Sequence, residues 1–158
     1  VVKYLKEKGI TTIRSKVGHS YIKQIMRDED ADFGGEHSAH FYLRENFYAD
    51  SGILTLLIFL KILSEKNVKT SELVENYEFY PSSGEINYVV EDVEISLKKI
   101  ENSFEGQFDK LDGISYFADD FWFNLRGSNT EPMLRLNAEA VNQKTLDSII
   151  EKISNIIS

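Results

Sequence analysis

The stretch NLRGSNTEPMLRL, residues 124–136, joins two alternating apolar runs through a short polar loop. Gly127 allows the backbone to turn, and Pro132 ends the loop. The loop supplies a guanidinium, two hydroxyls and an amide, from Arg126, Ser128, Thr130 and Asn129. Such donors suit a phosphate dianion, which offers only acceptors. The stretch therefore predicts a phosphate-binding loop or an ordinary turn, because Gly, Ser, Asn and Pro are also the usual turn residues.

Around this loop, the sequence from Gly84 onward follows the order β-α-β-β-β-α. Strands are predicted over residues 86–90, 114–118 and 121–125 and directly after the loop, from their alternating or β-rich composition. Apolar residues recur at helical spacing in two stripes: Val93, Leu97, Ile100 and Phe104, then Leu146, Ile149, Ile150, Ile153 and Ile157. The pattern predicts an antiparallel sheet with two helices on one face and the polar loop at its end.

The first part of the chain reads as mixed helix and strand. A helix is predicted to end at Gly9, a strand to cover residues 10–17, and a helix to follow Gly18. The run at residues 53–63 is apolar nearly all round, so it predicts a core helix capped by Asp50 or Ser51. We place the domain boundary within residues 67–70.

The second functional candidate is GGEHSAHFYLRENFYADSG, residues 34–52. If the residues after the two glycines are extended, Glu36, Ser38 and His40 share one face, a set that suits sugar hydroxyls. A zinc site that includes His37 is disfavoured, because no third distant ligand set is visible. Ser38 as an acyl-transfer nucleophile is disfavoured too, because the strand-to-helix elbow G-x-S-x-G is absent. The acidic cluster of residues 28–32 reads as a solvated helix end rather than a cation site.

Composition narrows the class of protein. The chain has 158 residues and no cysteine, so disulfides and thiolate metal sites are excluded. A net charge of −8 disfavours nucleic acid and an anionic membrane surface as partners. The longest apolar run has eleven residues, whereas a membrane span needs about 20. The N-terminus lacks an initiating Met and a signal-peptide pattern, so we expect a piece of a longer chain.

Four stretches together resemble the α-D-phosphohexomutase family: residues 15–27, 34–52, 79–90 and 112–140. The last two look most like its bacterial phosphomannomutase branch. The resemblance implies an α/β and α+β protein. Residues 1–68 would be the end of a mixed α/β third domain. Residues 69–158 would be a TATA-binding-protein-like fourth domain, an antiparallel sheet with two helices on one face.

The resemblance also implies roles for individual residues. Glu36 and Ser38 would recognise the sugar, and His40 and His19 would be candidates for acid/base chemistry. The phosphate-binding loop would consist of Arg126, Gly127, Ser128, Asn129 and Thr130. Gly127 stands at a variable position of the family loop, where a glycine is acceptable. His37 receives no role.

Two family features are absent from this sequence: the phosphoserine segment and the Asp-x-Asp-x-Asp loop that holds magnesium. The resemblance therefore implies a parent enzyme whose N-terminal domains carry both, with Mg²⁺ as cofactor and a hexose 1,6-bisphosphate as intermediate. A cytoplasmic enzyme acting on mannose or glucose phosphates is expected, and this piece alone should be inactive and hold no metal. The rival hypotheses are a stand-alone phosphosugar- or anion-binding module and a pair of purely structural turns.

Overall fold

A computed structural model describes residues 2–75, 77, 80–128 and 131–157. It forms two compact units, Val1–Asn67 and Val68–Ser158, which are described one at a time. The fold of each unit follows from where its apolar residues lie.

The first unit consists of short elements around a small core. In chain order they are α1 (Val2–Glu7), α2 (His19–Asp28), β1 (Phe33–Gly35), β2 (Phe41–Leu43), a 3₁₀ turn (Arg44–Asn46), β3 (Ala49–Asp50) and α3 (Gly52–Lys66). The strands form an antiparallel sheet in the order β1-β2-β3. As predicted, α1 ends before Gly9, whose φ is +74°.

The core of this unit forms where α2 packs on β1 and β2. Ile22, Met26 and Tyr42 are buried together there. Gly34 permits the contact, because a Cβ on it would lie 2.8 Å from Met26 Sδ and 3.1 Å from Ile22 Cγ2. Position 34 therefore needs a residue without a side chain for α2 to pack this closely on β1.

Two expectations for this unit are wrong. Residues 10–17, all within the described chain, pair with no strand, and Ile10 and Ile13 are about half exposed. A β-rich run becomes a strand only when it pairs with a neighbouring strand, and residues 10–17 pair with none of the three strands of this sheet. The apolar helix α3 is not a core helix either, because none of its residues is buried and Ile53 is 77% exposed. Its N-cap is Ser51, whose Oγ accepts a hydrogen bond from the Leu54 N–H.

The second unit confirms the predicted β-α-β-β-β-α order after an initial short helix. Its elements are α4 (Thr70–Glu75), β4 (Ser82–Val89), α5 (Val93–Ser103), β5 (Ile114–Phe117), β6 (Phe121–Gly127), β7 (Met133–Ala140) and α6 (Gln143–Ile157). The antiparallel sheet has the order β4-β7-β6-β5.

Both long helices of this unit cover the same face of the sheet. The buried core includes Phe123 and Leu125 from β6, Ile100 from α5 and Ile153 from α6. Alternate residues of each strand point to the other side, which we call the open face. The helical stripes and the strand alternation therefore produce the predicted two-layer domain.

Candidate functional site

Residues 36–40 connect β1 to β2 as a tight turn. The Glu36 N–H donates to the His40 carbonyl at 3.0 Å, and the Ala39 N–H donates to the Glu36 carbonyl at 3.1 Å. Ala39 adopts a φ of +63°. The expected extended run with alternating faces is thus wrong, because Gly35 pairs with Phe41 and the chain must reverse between them. The turn brings the backbones of Glu36 and His40 together.

The Glu36 carboxylate is held from two sides. Oε1 accepts a hydrogen bond from the Tyr42 hydroxyl at 2.5 Å, and Oε2 accepts one from the Gly18 N–H at 3.3 Å. Tyr42 is 1% exposed, and burial, followed by its hydrogen bond to Glu36, raises the pKa of its hydroxyl well above the ordinary value. Gly18 directly precedes α2 and has a φ of +127°. Its hydrogen bond to Glu36 links the segment that contains His19 to the turn that contains Glu36, and a functional residue was predicted in each.

His40 is paired with a carboxylate on the neighbouring strand. Its Nδ1 lies 3.2 Å from Asp50 Oδ2, and both side chains are about half exposed. Asp50 stands opposite Tyr42 in the ladder between β2 and β3. A carboxylate on one ring nitrogen fixes the orientation of an imidazole, so that proton exchange with a ligand would use the other nitrogen.

The two other candidates of this unit lie on its surface. Ser38 is exposed at the turn, and His19 is the exposed first residue of α2. His19 directly follows Gly18, whose N–H binds the Glu36 carboxylate, so the backbone of His19 lies near that carboxylate. His37 is exposed as well.

In the second unit, the predicted phosphate loop joins β6 to β7. The Ser128 N–H donates to the Met133 carbonyl at 2.9 Å, which closes the base of the loop. Arg126 lies one residue before the end of β6, and its side chain is only 19% exposed. Asn129 and Thr130 lie outside the described residues.

Glu85 joins two arginines on the open face. Arg126 and Arg135 stand directly opposite each other on β6 and β7. Glu85 Oε2 lies 3.5 Å from Arg126 Nη2, and its Oε1 lies 3.2 Å from Arg135 Nη1. Like charges directly opposite on a sheet repel, so a bridging carboxylate stabilises both guanidinium groups side by side. The result is a fixed cationic pair beside the loop.

The segment before β5 supports Arg126 from the backbone side. Gly113 has a φ of +63°, and a Cβ there would lie 2.3 Å from the Leu125 carbonyl oxygen and 2.7 Å from Arg126 Cα. Asn124 Nδ2 donates to the Asp112 carbonyl at 2.8 Å. This segment therefore presses directly against the strand that carries the arginine.

Gly127 has a different reason to be glycine than the one expected. It is the last residue of β6, it pairs with Leu134 of β7, and its φ lies outside the left-handed region. A Cβ on it would lie 2.9 Å from Val93 Cγ1, at the start of α5. In this chain, packing against Val93 therefore constrains position 127.

Four residues of these two sites were missed from sequence: Tyr42, Asp50, Glu85 and Arg135. Alternation along β7 does predict that Arg135 lies on the open face, and Glu85 belongs to a stretch that carries the family resemblance. Their partners, however, depend on strand neighbours and register, which no local pattern reveals.

Within the described residues, no group of three or more His, Cys, Asp or Glu side chains could hold a metal ion. The acidic cluster after α2 instead pairs with Arg44, which contacts Asp30 and Asp32. No helix in the described part of the chain is long and apolar enough to cross a membrane.

Comparisons with known proteins cover both units. Residues 1–80 match the family model "Phosphoglucomutase/phosphomannomutase, alpha/beta/alpha domain III". Residues 85–156 match the model "Phosphoglucomutase/phosphomannomutase, C-terminal domain".

Individual relatives agree with the family models. A phosphomannomutase of Methanocaldococcus jannaschii is 45% identical over 159 residues, covering 100% of this chain and 35% of the relative. A phosphomannomutase of Vibrio cholerae is 40% identical, covering 94% of this chain and 34% of the relative.

A crystal structure of a phosphoglucomutase/phosphomannomutase family protein from Burkholderia thailandensis superposes with a TM-score of 0.81 at 26% identity. The superposition covers 98% of this chain and 34% of that one. The chain thus spans about a third of the length of the relatives it matches.

Proposed function

The chain belongs to the phosphoglucomutase/phosphomannomutase family, and we propose that it is the sugar- and phosphate-recognition part of a phosphohexomutase. The parent enzyme would interconvert mannose 6-phosphate and mannose 1-phosphate, or the corresponding glucose phosphates. Phosphate would pass between a serine of the enzyme and the sugar through a hexose 1,6-bisphosphate. Residues 1–68 would be the end of the third domain, and residues 69–158 the fourth.

Glu36 is suited to grip the sugar. A carboxylate has about four lone-pair positions, and the Tyr42 hydroxyl and the Gly18 N–H use one on each oxygen. Acceptor positions remain on both oxygens for two neighbouring sugar hydroxyls. Ser38, exposed at the same turn, would add a hydroxyl that both donates and accepts. This set suits mannose and glucose alike.

The RGSNTEP loop is suited to hold the phosphate that is not reacting. Arg126 would supply the charge-assisted hydrogen bonds, and Ser128, Asn129 and Thr130 would supply neutral donors. Because the bisphosphate must present each of its ends in turn, the loop has to accept either phosphate, and generic phosphate donors meet that need. Gly127 would hold the backbone of the loop against α5.

Proton transfer is assigned to the histidines of the first unit. His40, oriented by Asp50, is the better-placed candidate, and His19 is the second. Either imidazole would exchange a proton with the sugar hydroxyl that gains or loses phosphate.

The remaining parts of the activity are assigned to other domains of the parent. The described acidic side chains fit no metal site, so the magnesium of the family would be held outside this chain and would neutralise phosphate charge there. The phosphoserine, the partner domains and a cytoplasmic location belong to the same proposal.

The observation that carries the proposal is the placement of Arg126, held by Glu85 at the entrance of the RGSNTEP loop. The test uses the protein made from the complete coding sequence that contains this chain. Arg126→Ala should lower kcat/KM about 30-fold for mannose and glucose phosphates, the loss of one charged contact. Lys98→Ala, which removes an exposed cation of the same unit, is the matched control.

Two outcomes would count against the proposal. Unchanged kcat/KM in Arg126→Ala would show that the loop is a structural turn. Phosphate binding without any interconversion of sugar phosphates by the complete protein would favour the non-catalytic binding module instead.

A further inference from the structure

We infer that Tyr42 is the positioning residue for the Glu36 carboxylate in sugar recognition, an inference that rests on the proposed function. Glu36 is the first residue of the turn between β1 and β2, and Tyr42 is the middle residue of β2. Their hydrogen bond, at 2.5 Å, is short and is donated by a hydroxyl whose residue is only 1% exposed.

The tyrosine ring and its hydroxyl do separate work. The ring fills the core beside Ile22 and Met26, a task that a phenylalanine would perform equally well. A buried hydroxyl is costly unless it finds a partner, and this one donates to Glu36. The core packing therefore depends on the ring and hardly on the hydroxyl. The hydroxyl instead holds the partly buried Glu36 carboxylate in place.

The fixed orientation matters because glutamate is flexible. Glu36 is only partly buried, and an unrestrained carboxylate would rotate among several rotamers. The Tyr42 hydroxyl restrains one oxygen and the Gly18 N–H restrains the other. The free acceptor positions then point in one direction before the sugar arrives, so less conformational freedom is lost on binding.

Tyr48, the other tyrosine of this core, makes different contacts from Tyr42. Tyr48 packs against the same buried cluster, and its ring lies under the Arg27 guanidinium at 5.6 Å. Removal of the Tyr48 hydroxyl therefore provides a matched control that takes an oxygen from the same region.

The test is a double-mutant cycle in the complete protein. Tyr42→Phe should lower kcat/KM for mannose 1-phosphate about tenfold, the effect of losing one hydrogen bond to a charged group. Tyr48→Phe should stay within twofold of the parent enzyme. Thermal unfolding of each variant, followed by circular dichroism, shows whether Tyr42→Phe keeps the fold intact.

The decisive measurement adds Glu36→Ala, which removes the acceptor of the Tyr42 hydroxyl. If Tyr42 acts through Glu36, Tyr42→Phe should have almost no further effect on kcat/KM in the Glu36→Ala background. Equal losses in both backgrounds would overturn the inference, and so would an unchanged kcat/KM in Tyr42→Phe alone. An unchanged kcat/KM in Glu36→Ala alone would overturn the sugar-binding assignment of the proposed function, and the inference with it.

Discussion

Gly113→Ala should be among the most damaging single-methyl changes in the second unit. The added Cβ would lie 2.3 Å from the Leu125 carbonyl oxygen and 2.7 Å from Arg126 Cα. Both are backbone atoms of the central strand β6, so neither can rotate aside. Relief requires either the segment before β5 or the strand itself to move.

The cost has two parts. Alanine at a φ of +63° loses about 1 kcal/mol, because its side chain crowds the backbone in the left-handed region. Overpacking against fixed neighbours adds about 1–3 kcal/mol. The total of about 2–4 kcal/mol is a large fraction of the 5–15 kcal/mol that is typical of a folded domain.

A matched control isolates the second part. Gly84 has a nearly identical φ of +61°, lies in the same unit, and would have no atom within 4 Å of an added Cβ. Gly84→Ala should therefore cost about 1 kcal/mol, from backbone conformation alone. The difference between the two variants measures the clash.

Trp122 is a suitable reporter, because it is the single tryptophan of the chain and lies on β6. Unfolding in guanidinium chloride, followed by its fluorescence, gives the free energy of unfolding for each variant. In the complete protein, Gly113→Ala should also lower kcat/KM, because movement of either β6 or the segment that packs on it would disturb the support of Arg126. Equal unfolding free energies for the two alanine variants would refute the reasoning.

Three further predictions concern other contacts. Gly34→Ala should destabilise the first unit by about 1–3 kcal/mol, because the new Cβ would clash with buried side chains. Gly35→Ala is the control, since its Cβ would make only ordinary contacts, and hydrogen exchange of the hairpin amides compares the two variants. Glu85→Gln should lower the unfolding free energy by about 0.5–1 kcal/mol, a modest loss because Glu85 is 38% exposed, and high salt should erase part of the difference. Raising the pH above about 10 should destabilise the first unit. There the Tyr42 hydroxyl ionises in the unfolded chain but stays protonated when folded, and Tyr42→Phe should remove that part of the alkaline loss.

The second unit was the more predictable from sequence, because its signals are local. Alternation along β6 separated Phe123 and Leu125 from Trp122 and Arg126, and the structure places these two sets on opposite faces. Side-chain alternation is a property of any single strand. The helical stripes of α5 and α6 are equally local and were predicted correctly for the same reason.

The contacts around the functional groups were not predictable, because they depend on pairing. Glu85 on β4 contacts Arg126 on β6 because only one strand, β7, separates β4 from β6. No local sequence pattern predicts that strand order. Tyr42 reaches Glu36 only because residues 36–40 reverse direction. The expected extended conformation would have placed the two side chains along one strand.

The errors in the first unit also concern neighbours rather than propensities. Residues 10–17 have a composition typical of a strand, and α3 has one typical of a buried helix. Both expectations required partner elements, which the three short strands and α2 do not supply in the described chain. The composition of a segment predicts the kind of neighbour it would pair or pack with. Whether that neighbour is present depends on the rest of the fold.

The contact between Gly127 and Val93 has an evolutionary consequence. A methyl group at position 127 and the Cγ1 methyl of position 93 would compete for the same space, 2.9 Å apart. Substitutions at the two positions should therefore arise together among relatives, with a side chain at the first accompanied by a smaller one at the second. For the same reason, a lineage would reach alanine at position 127 more easily after valine at position 93 had been replaced. The substitutions open to one loop residue thus depend on which residue the neighbouring helix has at position 93.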